Sequence, residues 1–241
     1  FQLLYRSAVF PLRLYLLLQL CKPRLLILRT RLLTMFYEPS KKNHGLPKNP
    51  FNSLIVPRPI GWISSVDSNG IANLAPYSFF NAVSYQPPTV MFSGGAGSSE
   101  DGMKDTVRNI EASGEFVCNI ATWHTREQMN QSSAAVPPET DEIELTGLTS
   151  IASELVNAPR IAQAPVHLEC RYLKTVDIPG WTKADEYKMV IGEVIGIHIN
   201  DELITKEGLV DVAKMMPIGR LGYDDYTRVD SGSLFKITRP R

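Results

Sequence analysis

The sequence predicts a mainly β protein: a closed or partly closed antiparallel barrel with a few peripheral helices. Segments rich in β-branched and aromatic residues outnumber helical ones. Asp67-Ser68-Asn69-Gly70 supplies hairpin turn residues between two such segments. Residues 166–172 alternate apolar and polar side chains with the period of a half-buried strand. Closure of a sheet removes its exposed edges, which favours a barrel.

Residues 1–34 differ in composition from the rest and stand outside the predicted fold. They contain six Lys and Arg but no acid, so residues 35–241 carry six more acids than bases although the whole chain has 25 of each. This excess argues against nucleic-acid binding. The apolar run Leu14–Cys21 is too short to span a bilayer. Residues 1–34 are therefore interpreted as an organellar presequence or as translated upstream sequence.

The three cysteines are widely spaced and form no Cys-x-x-Cys pair, which argues against a disulfide framework. Cys118 and Cys170 lie in apolar segments and are expected to be small buried side chains. We expect a cytoplasmic protein, or a mitochondrial one if residues 1–34 are a genuine presequence.

The first half of the barrel is predicted from turns and prolines. Residues 35–52 are an extended arm, and residues 53–241 form the domain. A strand is expected from Ser53 to Val66, at an edge or bulge where Pro57 and Pro59 cannot donate hydrogen bonds. Residues 71–77 should pair back on it, and Thr89–Ser93 should form a short buried strand.

The second half alternates helices, strands and one long loop. A helix is expected to begin with Asp105 or Thr106 as its N-cap and to end before Gly114. Strands are then predicted at 115–122, 166–172 and 188–200. A second helix should begin with a Thr125/Gln128 capping box and run to about residue 135. Residues 136–165 are interpreted as a surface excursion that contains a short helix at 152–157.

Several kinds of site are excluded by their missing motifs. The four histidines show no metal-ligand spacing, so no metal site is predicted. The sequence contains neither a Gly-x-Ser-x-Gly elbow nor a Gly-x-x-x-x-Gly-Lys phosphate loop. The glycine-rich run at 93–99 is interpreted as a flexible rim.

The remaining polar and aromatic cluster suits a flat, phosphorylated ligand. Lys104 and Thr106 lie where a helix begins, and free N–H groups there attract anions. Hydroxyl groups at strand ends and aromatic rings could surround the rest of the ligand; these are Ser64, Ser65, Tyr77 and Ser78 with Trp62, Phe79 and Phe80. The alternative is that the aromatic residues are core and that Lys104-Asp105-Thr106 is a solvated cap.

A set of motifs in fixed order resembles the flavin reductase-like, FMN-binding split-barrel family. These motifs are Pro-Arg-Pro-Ile-Gly-Trp-Ile-Ser at 57–64, Asn-Leu-Ala-Pro-Tyr-Ser-Phe-Phe-Asn at 73–81, Lys-Asp-Thr at 104–106, Gly-Glu-Phe-Val-Cys-Asn at 114–119 and Pro-Ile-Gly-Arg-Leu-Gly at 217–222 with Tyr226. The likeness covers about residues 35–240.

The resemblance implies a six-stranded antiparallel split barrel, commonly a homodimer, with FMN near the subunit interface. It implies that the Lys104-Asp105-Thr106 segment holds the phosphate. The return strand and corner would line the flavin through Asn73, Ala75, Pro76, Ser78, Phe79 and Phe80. Weaker assignments near the ring or ribityl chain are Arg58, Trp62, Ser64 and Arg220.

The activity implied is that of an NAD(P)H-dependent flavin reductase or flavoprotein oxygenase component. NADH or NADPH would be the electron donor, and a partner oxygenase could receive reduced flavin. No catalytic residue is predicted, since the flavin carries the redox chemistry. Two alternatives remain: an FMN-binding electron-transfer or carrier module without oxidase activity, and a heme-handling split-barrel protein that would need His124, His167 or His198 as ligand.

Overall fold

The computed structural model describes residues 34–97 and 102–240. The chain divides into two compact units, residues 1–50 and residues 51–241. The interpretation of residues 1–34 as a presequence or upstream segment falls, except for its last position, outside the described residues. The described part of the first unit includes a 3-10 turn at Pro39–Lys41, beside which Lys41 pairs with Glu38 at 2.7 Å.

The second unit is built on a curled antiparallel sheet. Its seven strands are β2 (Gly61–Val66), β3 (Ala72–Tyr77), β4 (Phe79–Tyr85), β5 (Pro88–Gly95), β6 (Glu115–Ile120), β9 (Val166–Ile178) and β10 (Tyr187–Ile199), paired in the order β3-β2-β6-β9-β10-β5-β4. The two edge strands, β3 and β4, are consecutive in the chain and are separated only by Ser78. This short connection holds the two edges near each other at one end, so the sheet curls into a barrel that stays open between them.

Shorter elements surround this sheet. β1 (Arg58–Pro59), β11 (Ile218–Arg220) and β12 (Tyr226–Arg228) form a three-stranded sheet, and β7 (Ser150–Ile151) pairs with β8 (Arg160–Ile161). The α-helices are α1 (Phe51–Leu54), α2 (Asp105–Ser113), α3 (Arg126–Gln131), α4 (Glu142–Leu145) and α5 (Val212–Met215). None of the helices in the described ranges is long and apolar enough to cross a membrane.

The predicted hairpin between β2 and β3 is confirmed. Asp67 Oδ1 accepts hydrogen bonds from the N–H groups of Asn69 at 2.8 Å and Ile71 at 2.7 Å. Gly70 follows with a φ of 86°, a conformation that glycine adopts without steric cost. Trp62 lies opposite Pro76 in the resulting register, and Ser65 lies opposite Asn73.

Apolar side chains cover both faces of the hairpin. Trp62 and Leu74 belong to one buried cluster, together with Met129 and Ile161. The neighbouring side chain on β2, Ile63, points to the other face and joins a second buried cluster. That second cluster also contains Phe92, Phe116 and the α2 residues Val107 and Ile110. Burial on both faces explains why Gly61–Ser65 are all buried, although two of these residues are serines.

Three predicted boundaries are wrong. Residues 51–54 form a helix, and pairing begins only at Arg58 and Pro59. No strand was predicted over residues 79–85, the start of which was interpreted as a corner, but these residues form β4. The capping box belongs to Thr122 and Thr125, so α3 begins at Arg126 and ends at Gln131.

The excursion over residues 136–165 is packed against the sheet. Its helix lies at Glu142–Leu145, whereas no helix forms in residues 152–157. The carboxylate of Glu169 on β9 anchors this loop, because it accepts hydrogen bonds from the N–H groups of Glu154 at 2.8 Å and Leu155 at 2.7 Å. His198 Nε2 lies 2.6 Å from the same carboxylate. A fully buried carboxylate thus holds the loop through backbone donors.

Candidate functional site

A cleft of about 650 Å³ opens where β3, β5 and the start of α2 meet. Residues 132–136, which follow α3, and Tyr187 of β10 complete its walls. We refer to it as the helix cleft. It is large enough for a cofactor-sized molecule, since ligand sites in proteins commonly measure about 300–1,000 Å³.

The N-terminus of α2 lies in the helix cleft and has no side-chain cap. Lys104 occupies the N-cap position in an extended conformation and makes no capping hydrogen bond. The prediction that Asp105 or Thr106 caps the helix is therefore wrong. The Asp105 carboxylate instead pairs with Arg108 at 2.5 Å, and the Thr106 hydroxyl bonds elsewhere. The N–H groups of Asp105 and Thr106 remain available to an anion, whereas that of Val107 donates to the Lys104 carbonyl group at 3.0 Å.

A buried polar chain supports this helix start. The Thr106 hydroxyl donates to Asn73 Oδ1 at 2.6 Å. Asn73 Nδ2 donates to both carboxylate oxygens of Glu142, at 3.0 and 3.1 Å, and the Leu74 N–H donates to Glu142 at 2.9 Å. Burial raises the pKa of Glu142, although these hydrogen bonds oppose the rise. The chain fixes the orientation of Thr106 beside the helix terminus.

Tyr77 brings an unused hydroxyl group to the same cleft. Its side chain is 5% exposed, and within the described residues the hydroxyl has no hydrogen-bond partner. Burial raises the pKa of Tyr77 above its usual value, so the hydroxyl stays protonated. A buried donor without an acceptor costs free energy, and a bound ligand could supply that acceptor.

Aromatic rings and glycines form the opposite wall. The rings of Phe79 and Tyr187 lie 5.9 Å apart at an angle of 35°. A Cβ at Gly94 would come within 2.8 Å of the Tyr77 ring, and one at Gly97 within 2.4 Å of the Met103 carbonyl oxygen. The absence of side chains at these positions lets the Tyr77 ring and the Met103 backbone lie close to this segment.

The structure brings most of the predicted site residues together. The helix cleft is lined by Asn73, Ala75, Pro76, Ser78, Phe79, Lys104, Asp105 and Thr106. These residues come from the β3 end, the following corner and the helix start, as predicted. Five other predicted residues do not line it.

Arg58 and Phe80 lie behind the cleft wall. Arg58 donates to the carbonyl groups of Ile55 and Leu221, both at 2.9 Å, and its guanidinium carbon lies 5.7 Å from the centre of the Phe79 ring. Phe80 packs against the second core cluster and covers Gly61, where a Cβ would meet its ring at 2.6 Å. Both residues support the corner.

Trp62, Ser64 and Arg220 were predicted to lie near the flavin ring or ribityl chain, but none of them lines the helix cleft. Trp62 and Ser64 are fully buried, and Arg220 lies in another cleft. Trp62 Nε1 donates to Ser132 Oγ at 2.9 Å. Ser64 accepts a hydrogen bond from Asn119 at 3.0 Å. Fully buried side chains leave no surface for a ligand. Arg220 bonds to the Tyr226 hydroxyl and to the Tyr223 carbonyl group.

Sequence reasoning missed several cleft residues. Part of the glycine-rich run, Ser93–Gly97, was interpreted as a flexible rim but lines the cleft. Glu142 and the 132–136 segment come from a region interpreted as helix and surface excursion, and Tyr187 immediately precedes a predicted strand. The glycines were the only local signal; the other contacts depend on the tertiary fold.

Comparison with known proteins agrees with this architecture. An uncharacterized protein of Aquifex aeolicus is 38% identical over 184 residues, covering 76% of this chain and 90% of the relative. The crystal structure of nitrilotriacetate monooxygenase component B from Bacillus cereus is 31% identical, with a TM-score of 0.74 over 85% of this chain and 98% of that one. A Shewanella frigidimarina protein with a split barrel domain superposes with a TM-score of 0.70 at 20% identity, over 86% of this chain and 100% of that one.

The fold is therefore a split barrel, with seven strands in the main sheet rather than the expected six. Residues 53–219 match the family described as the flavin reductase like domain. The chain belongs to this family.

Proposed function

We propose that the helix cleft binds FMN, with the phosphate at the start of α2 and the flavin ring toward the Phe79 and Tyr187 wall. The observation that carries this proposal is the uncapped N-terminus of α2, flanked by the Lys104 ammonium group and the Thr106 hydroxyl. Within the described residues, Lys104 forms no ion pair. The ammonium group and the free N–H groups suit a phosphate dianion, and the Thr106 hydroxyl would donate to it by turning away from Asn73 Oδ1.

The remaining residues of the cleft fit the same cofactor. The unpartnered Tyr77 hydroxyl can donate a hydrogen bond to an oxygen or ring nitrogen of a bound molecule. The glycines of β5 let the Tyr77 and Tyr187 rings lie close to the backbone of this wall. No described histidine lines the cleft: His167 is buried against the Ile161 carbonyl group, and His198 pairs with Glu169. This arrangement favours a flavin over a heme.

We further propose that the protein acts as an NAD(P)H-dependent flavin reductase or as the flavin component of an oxygenase. FMN would supply the hydride-accepting centre when bound. The protein's own residues would hold and orient it: Lys104 and Thr106 at the phosphate, and Tyr77 as a neutral donor. Because its raised pKa keeps Tyr77 protonated, its role would be hydrogen bonding rather than proton removal. Membership of the family, and the likeness to a monooxygenase component B, support the activity.

The phosphate assignment is tested by comparing FMN with riboflavin, which lacks the phosphate. A double variant, Lys104→Ala with Thr106→Ala, is expected to weaken FMN binding about 100-fold, since each charge-assisted hydrogen bond contributes about 1.5–3 kcal/mol. Riboflavin affinity should stay unchanged. Fluorescence titration of both ligands measures the effect, and Lys174→Ala, an exposed lysine on β9, is the matched control. Equal losses for FMN and riboflavin would refute the assignment.

Oxidation of NADH or NADPH by the protein distinguishes a flavin reductase from an FMN-carrying module without this activity. Oxidation of NADH or NADPH by the FMN-loaded protein, followed at the absorbance of the reduced nucleotide, is expected for a reductase. Bound FMN without oxidation of either donor would leave a carrier or electron-transfer module. The same proposal includes a homodimer and a partner oxygenase. Sedimentation measures the oligomeric state, and co-purification tests whether an oxygenase binds.

A further inference from the structure

A second cleft of about 660 Å³ is lined by residues of α3, β11 and β12 and is rich in arginine. We call it the arginine cleft. Arg126 comes from α3, Arg220 from β11 and Arg228 from β12. The α3 helix supplies residues to this cleft, and residues 132–136 directly after it line the helix cleft. The two clefts are thus separate pockets on the same unit.

Aromatic rings hold the three guanidinium groups in place. The guanidinium carbon of Arg126 lies 4.0 Å from the centre of the Trp123 ring, and that of Arg228 lies 5.0 Å from it. Arg220 stacks on Tyr226 at 4.6 Å. Stacking of this kind restrains the planar guanidinium group before any ligand binds. The side chains are therefore preorganised.

Each arginine retains hydrogen-bond donors. Arg228 donates through Nε to Asp230 at 2.9 Å, and no partner within the described residues is assigned to its two terminal nitrogens. Arg126 donates from Nη1 to the Trp123 carbonyl group at 2.7 Å, and its Nε lies 3.3 Å from Glu127. A guanidinium group has five N–H donors, so these bonds leave several unused. The free donors suit a planar acceptor that binds in a bidentate manner.

The net charge and the apolar lining of the arginine cleft indicate which class of ligand it could bind. Its three arginines lie beside the carboxylates of Glu127 and Asp224, and Asp230 offsets Arg228 from outside the lining. The lining by itself carries a net charge of +1, from three arginines and two carboxylates, and a single positive charge matches a monoanion better than a dianion. The buried side chains of Met129 and Ile218 and the partly exposed Trp123 provide apolar surface. We propose that the arginine cleft binds a small aromatic carboxylate, with the carboxylate at the arginines and the ring on the apolar floor.

The proposal is tested on the full chain with benzoate and its neutral analogue benzamide, using titration calorimetry. Benzoate should bind about tenfold more tightly, since only the carboxylate can pair with guanidinium groups. Arg228→Met should weaken benzoate binding about tenfold and leave benzamide binding and the melting temperature unchanged. The retained benzamide binding shows that the variant is folded.

Two control variants locate the binding. Arg171→Met removes an exposed arginine that, like Arg228, pairs with one carboxylate, at 2.7 Å to Glu193, and it should have no effect. Lys104→Ala should have no effect either, because it lies in the helix cleft. The proposal is overturned if benzoate fails to bind, if benzamide binds equally well, if Arg171→Met weakens benzoate as much as Arg228→Met, or if Lys104→Ala abolishes binding. None of these outcomes depends on flavin binding.

Discussion

Two buried carboxylates of the same domain have pKa values shifted in opposite directions. Glu142, in the wall of the helix cleft, has a raised pKa, because burial outweighs its hydrogen bonds from Leu74 and Asn73. Asp141 next to it adds a like charge. Glu169, under the 152–157 loop, is more completely buried, yet its pKa lies below the usual range.

The donors around Glu169 account for the difference. Burial again favours the protonated form, but the N–H groups of Glu154 and Leu155 and the imidazole of His198 together outweigh it. Glu142 receives bonds from an amide side chain and one N–H, with no cationic or imidazole partner. Burial alone therefore does not set the charge of a carboxylate. The residue in the cleft can accept a proton more readily, and the loop anchor stays ionised.

Removing the loop anchor should give the largest effect on stability. Glu169→Ala leaves the N–H groups of Glu154 and Leu155 and the His198 imidazole without their acceptor, and we expect a loss of about 3 kcal/mol in the free energy of unfolding. Urea denaturation followed by circular dichroism measures it. Glu202→Ala, which removes an exposed carboxylate 3.7 Å from Lys214, is the control and should change stability by less than about 0.5 kcal/mol. Similar losses for both variants would contradict the anchoring role.

The pH dependence of stability should have opposite signs at the two sites. A raised pKa in the folded state means that Glu142 contributes stability below its usual pKa of about 4.3 and loses it as the pH rises through the raised value. The lowered pKa of Glu169 means that its contribution is present above that usual pKa and is lost as the pH falls.

Two glutamine variants test these signs. Relative to wild type, Glu142→Gln should gain stability as the pH is raised from about 4 to about 8, whereas Glu169→Gln should gain as the pH is lowered below about 4. Urea titrations at each pH give the differences. A pH-independent difference for Glu142→Gln, or the same sign for both variants, would show that the contrast between the two carboxylates is wrong.

The sequence predicted the parts of the fold that depend on neighbouring residues. The Asp67–Gly70 turn and the Gly114 helix end are local features, and both lie where expected: the Gly114 N–H bonds to the Ile110 carbonyl group at 2.8 Å. The wrong predictions concern elements that depend on contacts between residues distant in the sequence. β4 is a strand because it pairs with β5, and its largely exposed side chains carry no apolar pattern. Residues 142–145 form a helix begun by the side chain of Asp141.

Part of the helix cleft could also be predicted, because it is built from short contiguous motifs. The Lys104-Asp105-Thr106 segment and the Asn73–Phe79 corner are contiguous motifs, and the fold brings them to one cleft. Glu142 could not be anticipated, since its contact with Asn73 crosses 69 positions. Trp62 and Ser64 belong to another such motif, yet their side chains pack inside the protein rather than toward the cleft. A motif shows which segments meet but not which way each side chain faces.

The smallest expected effect links Glu142 to the proposed phosphate site. Above its raised pKa, the ionised Glu142 should repel a bound phosphate modestly through the Asn73 and Thr106 chain, so Glu142→Gln is expected to tighten FMN binding about twofold there. Riboflavin affinity should not change, because the repulsion acts on the phosphate. The gain should disappear when the pH falls below the raised pKa, where wild-type Glu142 is itself neutral. Fluorescence titration at neutral and acidic pH distinguishes this from a packing effect, which would be the same at both values and for both ligands.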